Sequence, residues 1–140
     1  MNLEKIINVS GWTGLYKIIS QGNNIVIIES IEDGKRSPLK NHNQANILDE
    51  ISIYTYEETI PLSEVFKKIA EKEDYKQTIN HKTNNKELIK YFREILNEFD
   101  EDRVYTSNIK KVLQWYNILH KAGMIKRDNN NNNNNNNNEI

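Results

Sequence analysis

The hydrophobic period of the chain changes at Pro61, and no other feature limits the fold as tightly. Before it, apolar residues come in short runs or alternate; after it, they recur every three to four positions. Leu15-Tyr16-Lys17-Ile18-Ile19-Ser20 reads as a strand entering the turn Gln21-Gly22-Asn23-Asn24, where Gly and Asn tolerate positive φ. Ile25-Val26-Ile27-Ile28-Glu29-Ser30-Ile31 opens with four consecutive β-branched residues, which predicts a central strand covered on both faces. Asp33-Gly34 is the strongest short hairpin signal, Lys35-Arg36-Ser37 continues the return strand, and Pro38 marks an edge or an ending. Residues 41–50 are polar, with Ala45, Ile47 and Leu48 fitting one helical turn, and Ile51-Ser52-Ile53-Tyr54-Thr55 alternates as a last strand. Four short strands with tight turns predict a small SH3-like antiparallel β-barrel or strongly bent sheet over residues 1–60.

Beyond Pro61, which suits a first helical position, Leu62, Val65, Phe66 and Ile69 lie at i, i+3, i+4 and i+7. Residues 71–83 have no clear period and read as a loop. Asn84, with Glu87 three residues on, starts a second helix presenting Leu88, Tyr91, Phe92, Ile95, Leu96 and Phe99. After Asp100-Glu101-Asp102, Thr106 or Ser107 caps a third helix carrying Ile109, Val112, Leu113, Tyr116 and Leu119, and Gly123 closes it. The expectation is an α+β chain with a β-module at 1–60, a three-helix bundle at 61–125 and a disordered tail at 126–140. Ten consecutive asparagines, Asn129 to Asn138, carry no apolar period that could offset the entropy of ordering.

A β-module of 60 residues buries too little apolar surface to be comfortable alone. Trp115 and Ile118 extend the apolar stripe of the third helix onto an adjoining face, so they are expected to dock against the sheet or another chain, or to lie inside the helical core. No apolar run approaches the roughly 18 residues of a membrane span. The N-terminus Met1-Asn2-Leu3-Glu4-Lys5 shows no secretory signal, and there is no cysteine for disulfide, thiol or Cys-based zinc chemistry. A cytoplasmic protein is expected. The net charge of −1 divides into 5 basic against 8 acidic residues up to 60, and 14 against 11 from 61 to 128. Neither half has the strongly basic footprint of a dedicated nucleic-acid binder.

Catalytic and metal motifs fail on spacing. The only Gly-Lys, Gly34-Lys35, has Glu29 where a phosphate-binding loop needs glycine. Gly11-Trp12-Thr13-Gly14 precedes a strand, not the helix a dinucleotide site requires, and no Gly-x-Ser-x-Gly elbow exists. His42, His81 and His120 are scattered without metal-ligand spacing. A calcium loop beginning at Asp100 would need glycine at Tyr105, an apolar residue at Ser107 and glutamate at Lys111. The acids there read as a solvated linker, with Asp102 pairing with Arg103 or nearby lysines. Glu57 and Glu58 are adjacent, so on a strand they point apart. No catalytic residue, cofactor or metal is expected, and the chain is read as a non-enzyme.

Two basic-aromatic clusters remain. Lys35 and Arg36 stand at a hairpin tip near Tyr16 or Tyr54; Arg103, Tyr105, Lys110 and Lys111 surround the start of the third helix. Such groups hold phosphates and stack bases, and they also occur on any lysine-rich surface. The leading expectation is a binding or adaptor protein with a protein partner on the apolar face of Trp115 and Ile118. RNA or ribosome association through the two basic clusters is the alternative.

Several stretches together resemble a family of small uncharacterised Bacteroidota proteins, an N-terminal domain of unknown function followed by a helical one. They are Gly14 to Gly22, Glu29 to Arg36, Ile51 to Thr55, Pro61 to Phe66, Arg103-Val104-Tyr105, and Ile109-Lys110-Lys111 with Trp115-Tyr116-Asn117. The chain departs from the family pattern at Trp12-Thr13, where Lys-Pro stands between the two glycines, and at Asn108, where Asp is usual. The resemblance implies a two-part chain in a bacterial cytoplasm and supplies no activity.

Overall fold

The computed structural model describes residues 3–40 and 42–127; the asparagine run and its expected disorder lie outside the described residues. Strands β1 (Ile6–Val9), β2 (Tyr16–Gly22), β3 (Ile25–Ser30), β4 (Arg36–Leu39) and β5 (Ala45–Ile47) form one antiparallel sheet in the order β4-β3-β2-β1-β5. The turns fall where predicted, with Asn24 at φ 62° and Gly34 at φ 75°. The register shifts between Ile18 and Ser20, leaving Ile19 as an extra residue that bends the sheet. Its edges, β4 and β5, do not pair, so the sheet is open and the expected barrel is not formed.

Three strands escaped the sequence reading. β1 has only four residues, and Ala45 and Ile47, read as part of a helical turn, instead pair with Val9 and Ile7 of β1. The helical turn is confined to a 3-10 turn at Leu48–Glu50. A second hairpin joins β6 (Ser52–Tyr54) to β7 (Thr59–Pro61), where β7 was not foreseen. β3 is internal, but it is not covered on both faces throughout: Ile28 is fully buried while Ile25 is 53% exposed.

Helix α1 (Leu62–Lys72) buries Leu62, Val65, Phe66 and Ile69 as the spacing predicts, with Pro61 just before its first turn. In α2 (Asn85–Ile95), the Glu87 N–H donates to Asn84 Oδ1 at 3.0 Å. Phe99 lies beyond the end of α2, bridged to Thr55 and edge-on to Phe92. Helix α3 (Thr106–Lys121) is not capped by Thr106 or Ser107; instead the Tyr105 N–H donates to Asn108 Oδ1 at 2.8 Å. That acceptor is one an Asp at 108 would also supply. Gly123 ends the helix at φ 77°.

Neighbouring residues of β1 serve different cores because successive side chains alternate across a strand. Ile6 joins a large cluster with Leu3, Leu15, Leu48, Ile53 and the buried faces of all three helices, whereas Ile7 and Val9 pack with Ile28 on the opposite face. The sheet and the helices therefore share one main core. The connection between α1 and α2 is fixed by polar contacts. Tyr91 donates to Glu73, Thr78 Oγ1 donates to Tyr91 at 2.6 Å, and Tyr116 donates to the Lys76 carbonyl at 2.8 Å. Past α3, Ile125 is buried and Arg127 pairs with Asp74 while lying over the Tyr75 ring, so the chain stays against the bundle to the last described residue. Among the described residues no helix is long and apolar enough to cross a membrane.

Candidate partner-binding groove

Alternation along β6 decides which of its backbone groups are free. The Leu62 N–H donates to the Ile51 carbonyl at 2.9 Å and the Thr55 N–H to the Glu58 carbonyl at 2.8 Å, so residues 51, 53 and 55 face β7. Ser52 and Tyr54 turn their backbone groups to the other side. There the Tyr54 carbonyl accepts the Asp100 N–H at 3.0 Å, and the Tyr56 N–H donates to the Glu98 carbonyl at 3.1 Å. Among the described residues, the Ser52 N–H and carbonyl and the Tyr54 N–H have no hydrogen-bond partner. This short edge opens on a cavity of about 160 Å³ between β6 and the first half of α3. Ile53, Val112 and Trp115 lie at its base, with Tyr54, Arg103, Asn108 and Lys111 around it.

The acidic link builds the rim. Asp100 is only 5% exposed; its carboxylate accepts the Asp102 N–H and the Arg103 Nε–H, both at 2.9 Å. Arg103 thus pairs with Asp100 rather than with Asp102, as the sequence reading had it. A guanidinium anchored in this way lies over the Tyr54 ring at 4.6 Å from its centre, a cation–π contact. Tyr54 remains 44% exposed.

Three of the expected residues therefore come together: Arg103, Lys111 and Trp115 share the groove, whereas Tyr105, just before α3, lines a separate cavity with Ile89, Phe99 and Ile109. Lys110 is half-buried on the same turn and does not line the cavity. Lys35 and Arg36 lie elsewhere, at the β3–β4 hairpin, where Arg36 pairs with Glu29 at 3.1 Å. Tyr54 belongs to Arg103, not to that hairpin. Tyr16 does lie near it: burial first, then the charges of Asp33 and Glu32, push the Tyr16 hydroxyl pKa up. The Lys35 backbone N–H donates to Asp33 and holds that carboxyl below its usual range.

Trp115 and Ile118 dock within the molecule, one of the expected outcomes, and at 8% exposure each they leave no free apolar face for a partner. The extra apolar stripe of α3 is consumed inside the molecule. Trp115 turns to the β6 hairpin, and Ile118 to Ile31 at the end of β3, where it floors a different cavity. The open edge of β6 and the contribution of Ser52 escaped the sequence reading. Their one local signal was the Ser52–Tyr54 alternation, which does not reveal which side lacks a partner.

The domain of unknown function DUF5606 matches residues 3–48 and the domain of unknown function DUF6852 matches residues 51–119, so the division falls before β6 and places the groove within the second domain. No functionally curated protein matches the chain. A solution NMR structure of a structural-genomics target from Bacteroides vulgatus is similar at 41% sequence identity and a TM-score of 0.75, covering 89% of this chain and 90% of that one. The chain belongs to the family that joins these two domains of unknown function, the Bacteroidota family its sequence resembles.

Proposed function

We propose that the protein is a non-enzymatic adaptor of the bacterial cytoplasm that captures an extended segment of a protein partner in the groove between β6 and α3. The observation that carries this reading is the open Ser52–Tyr54 edge beside an apolar base and the half-exposed Tyr54. An incoming strand satisfies the free backbone groups, and one of its side chains enters the cavity. At about 160 Å³ the cavity suits a side chain better than a cofactor, since small-molecule sites run to roughly 300 Å³ and above. Tyr54 supplies contact area at low entropic cost, as tyrosines do at other interfaces. The bent, open N-terminal sheet agrees with a binding role at the level of fold analogy only.

The test is peptide selection from a random library against the full chain, followed by mapping of selected peptides on its amide NMR spectrum. Bound peptides are expected to shift Ser52, Tyr54 and the Trp115 indole. Ser52→Pro, at a position whose N–H does not serve the β7 ladder, should weaken them at least about tenfold while the circular dichroism spectrum is retained. Peptides that map elsewhere, or bind Ser52→Pro equally well, would refute the reading. Binding of single-stranded RNA that falls steeply between about 50 and 200 mM salt, and is lost on neutralising Lys110 and Lys111, would favour the nucleic-acid alternative.

A further inference from the structure

A second cavity, of about 410 Å³, opens where the N-terminal sheet meets the helices, and its size is within the range of small-molecule sites. Ile31 and Glu32, at the end of β3 and in the turn after it, form one side. Gln114, Ile118 and Lys121 form another, at i, i+4 and i+7 on α3, and His81 closes it from the α1–α2 connection. That connection is held in place by Asn117. Its Oδ1 accepts the Thr78 N–H at 2.8 Å, and its Nδ2 donates to the Thr78 and Ile79 carbonyls at 3.2 and 3.3 Å. The walls are therefore fixed, and exposed charged side chains stand at them, the Glu32 carboxylate lying beside Gly14. Among the described residues, the side chains of Glu32, His81, Gln114 and Lys121 form no hydrogen bond or ion pair with the protein. Glu32 and Lys121 carry opposite charge in one cavity and do not pair.

We propose that this cavity binds a zwitterion of amino-acid or dipeptide size with an apolar side chain. A simple anion would meet Lys121 favourably but also face Glu32, and a simple cation would face Lys121; only a ligand carrying both charges satisfies both walls. The ammonium sits at Glu32, the carboxylate at Lys121 with Gln114 as a further donor, and the side chain rests on Ile31 and Ile118. The site is separate from the groove at β6 and stands whether or not that groove binds peptides.

Titration of the full chain with L-leucine, L-phenylalanine and the dipeptide Leu-Leu, read by amide NMR, tests it. At least one should give saturable shifts at Ile31, Gln114 and Ile118. Isocaproate and isoamylamine, each keeping the aliphatic chain of leucine and one of its charges, should bind at least about tenfold more weakly than leucine or the dipeptide, as should the best zwitterion to Glu32→Gln or Lys121→Met. Both positions are on the surface, so both variants should keep the parent spectrum elsewhere. No saturable shift up to about 10 mM, shifts confined to other residues, or equal affinity for single-charge analogues or charge variants would each overturn the proposal.

Discussion

The sheet and the helices hide their apolar residues in opposite ways. Helices α1 and α2 are one-sided, α3 buries a wider arc that includes Trp115 and Ile118, and all three converge on a large shared core that includes Phe66, Phe92, Leu113 and Tyr116. The sheet is two-sided. One face contributes Leu3, Ile6, Leu15 and Leu48 to that shared core, while the other closes on only Ile7, Val9 and Ile28, with half-buried Tyr16, Ile18 and Leu39 around them. A small sheet with so slight a core of its own depends on its neighbour. Its edges are protected by brevity and by Pro38 rather than by closure.

The comparison breaks most severely if the sheet is stable alone. Residues 1–60 expressed without the helices should be poorly folded and prone to aggregate, since Ile6, Leu15 and Leu48 would lose their cover. Dispersed amide signals and a sharp thermal transition in that fragment would show that the second face suffices.

A single side chain sharpens the same contrast. Trp115→Ala should destabilise the full chain by about 3–5 kcal/mol, measured by urea unfolding, because Trp115 is buried between α3 and the β6 hairpin. Tyr105→Ala, at a side chain mostly in solvent, should cost less than about 0.5 kcal/mol. Comparable losses at both positions would mean that Trp115 is not a core residue.

The smallest effect separates the polar lock of the helical half from the exposed chemistry of the sheet. Burial first, then its bond to Glu73, pushes the Tyr91 pKa up; burial first, then the charge of Glu73, pushes Tyr116 up to about 12. Folding therefore favours the protonated phenols. The stability they contribute is fully present below the ordinary phenol pKa of about 10 and is lost as pH rises through the raised values. Absorbance titration should show Tyr16, Tyr91 and Tyr116 ionising later than a free phenol, and Tyr116→Phe should flatten the fall in melting temperature above about pH 10. A melting temperature with the same alkaline slope in Tyr116→Phe would remove Tyr116 from this account.

Strong local signals were legible in the sequence: the α1 and α2 faces, the Asn84 cap, the turns at Asn24 and Gly34, and the edge at Pro38. Weak ones were not. The three-residue strand β5 has no local energy to distinguish it from a helical turn, and pairing with β1 decides between them. The groove was half legible. Arg103, Lys111 and Trp115 were singled out from type and position, but whether Trp115 faced solvent depended on the hairpin that packs against it.

By itself, the sequence determined the α+β class, the change of period at Pro61, the helix faces and the tight turns, because each rests on interactions within a few residues. Tertiary structure alone decided that the sheet stays open, that Ile6 and Ile7 serve different cores, and that Ile118 meets Ile31 across a cavity. It also decided that Asp100 anchors Arg103 over Tyr54 and that Ser52 keeps a free edge. These outcomes depend chiefly on groups brought together from distant parts of the chain. Local periodicity fixes which side of an element is apolar, but only the partner across space fixes what that side touches.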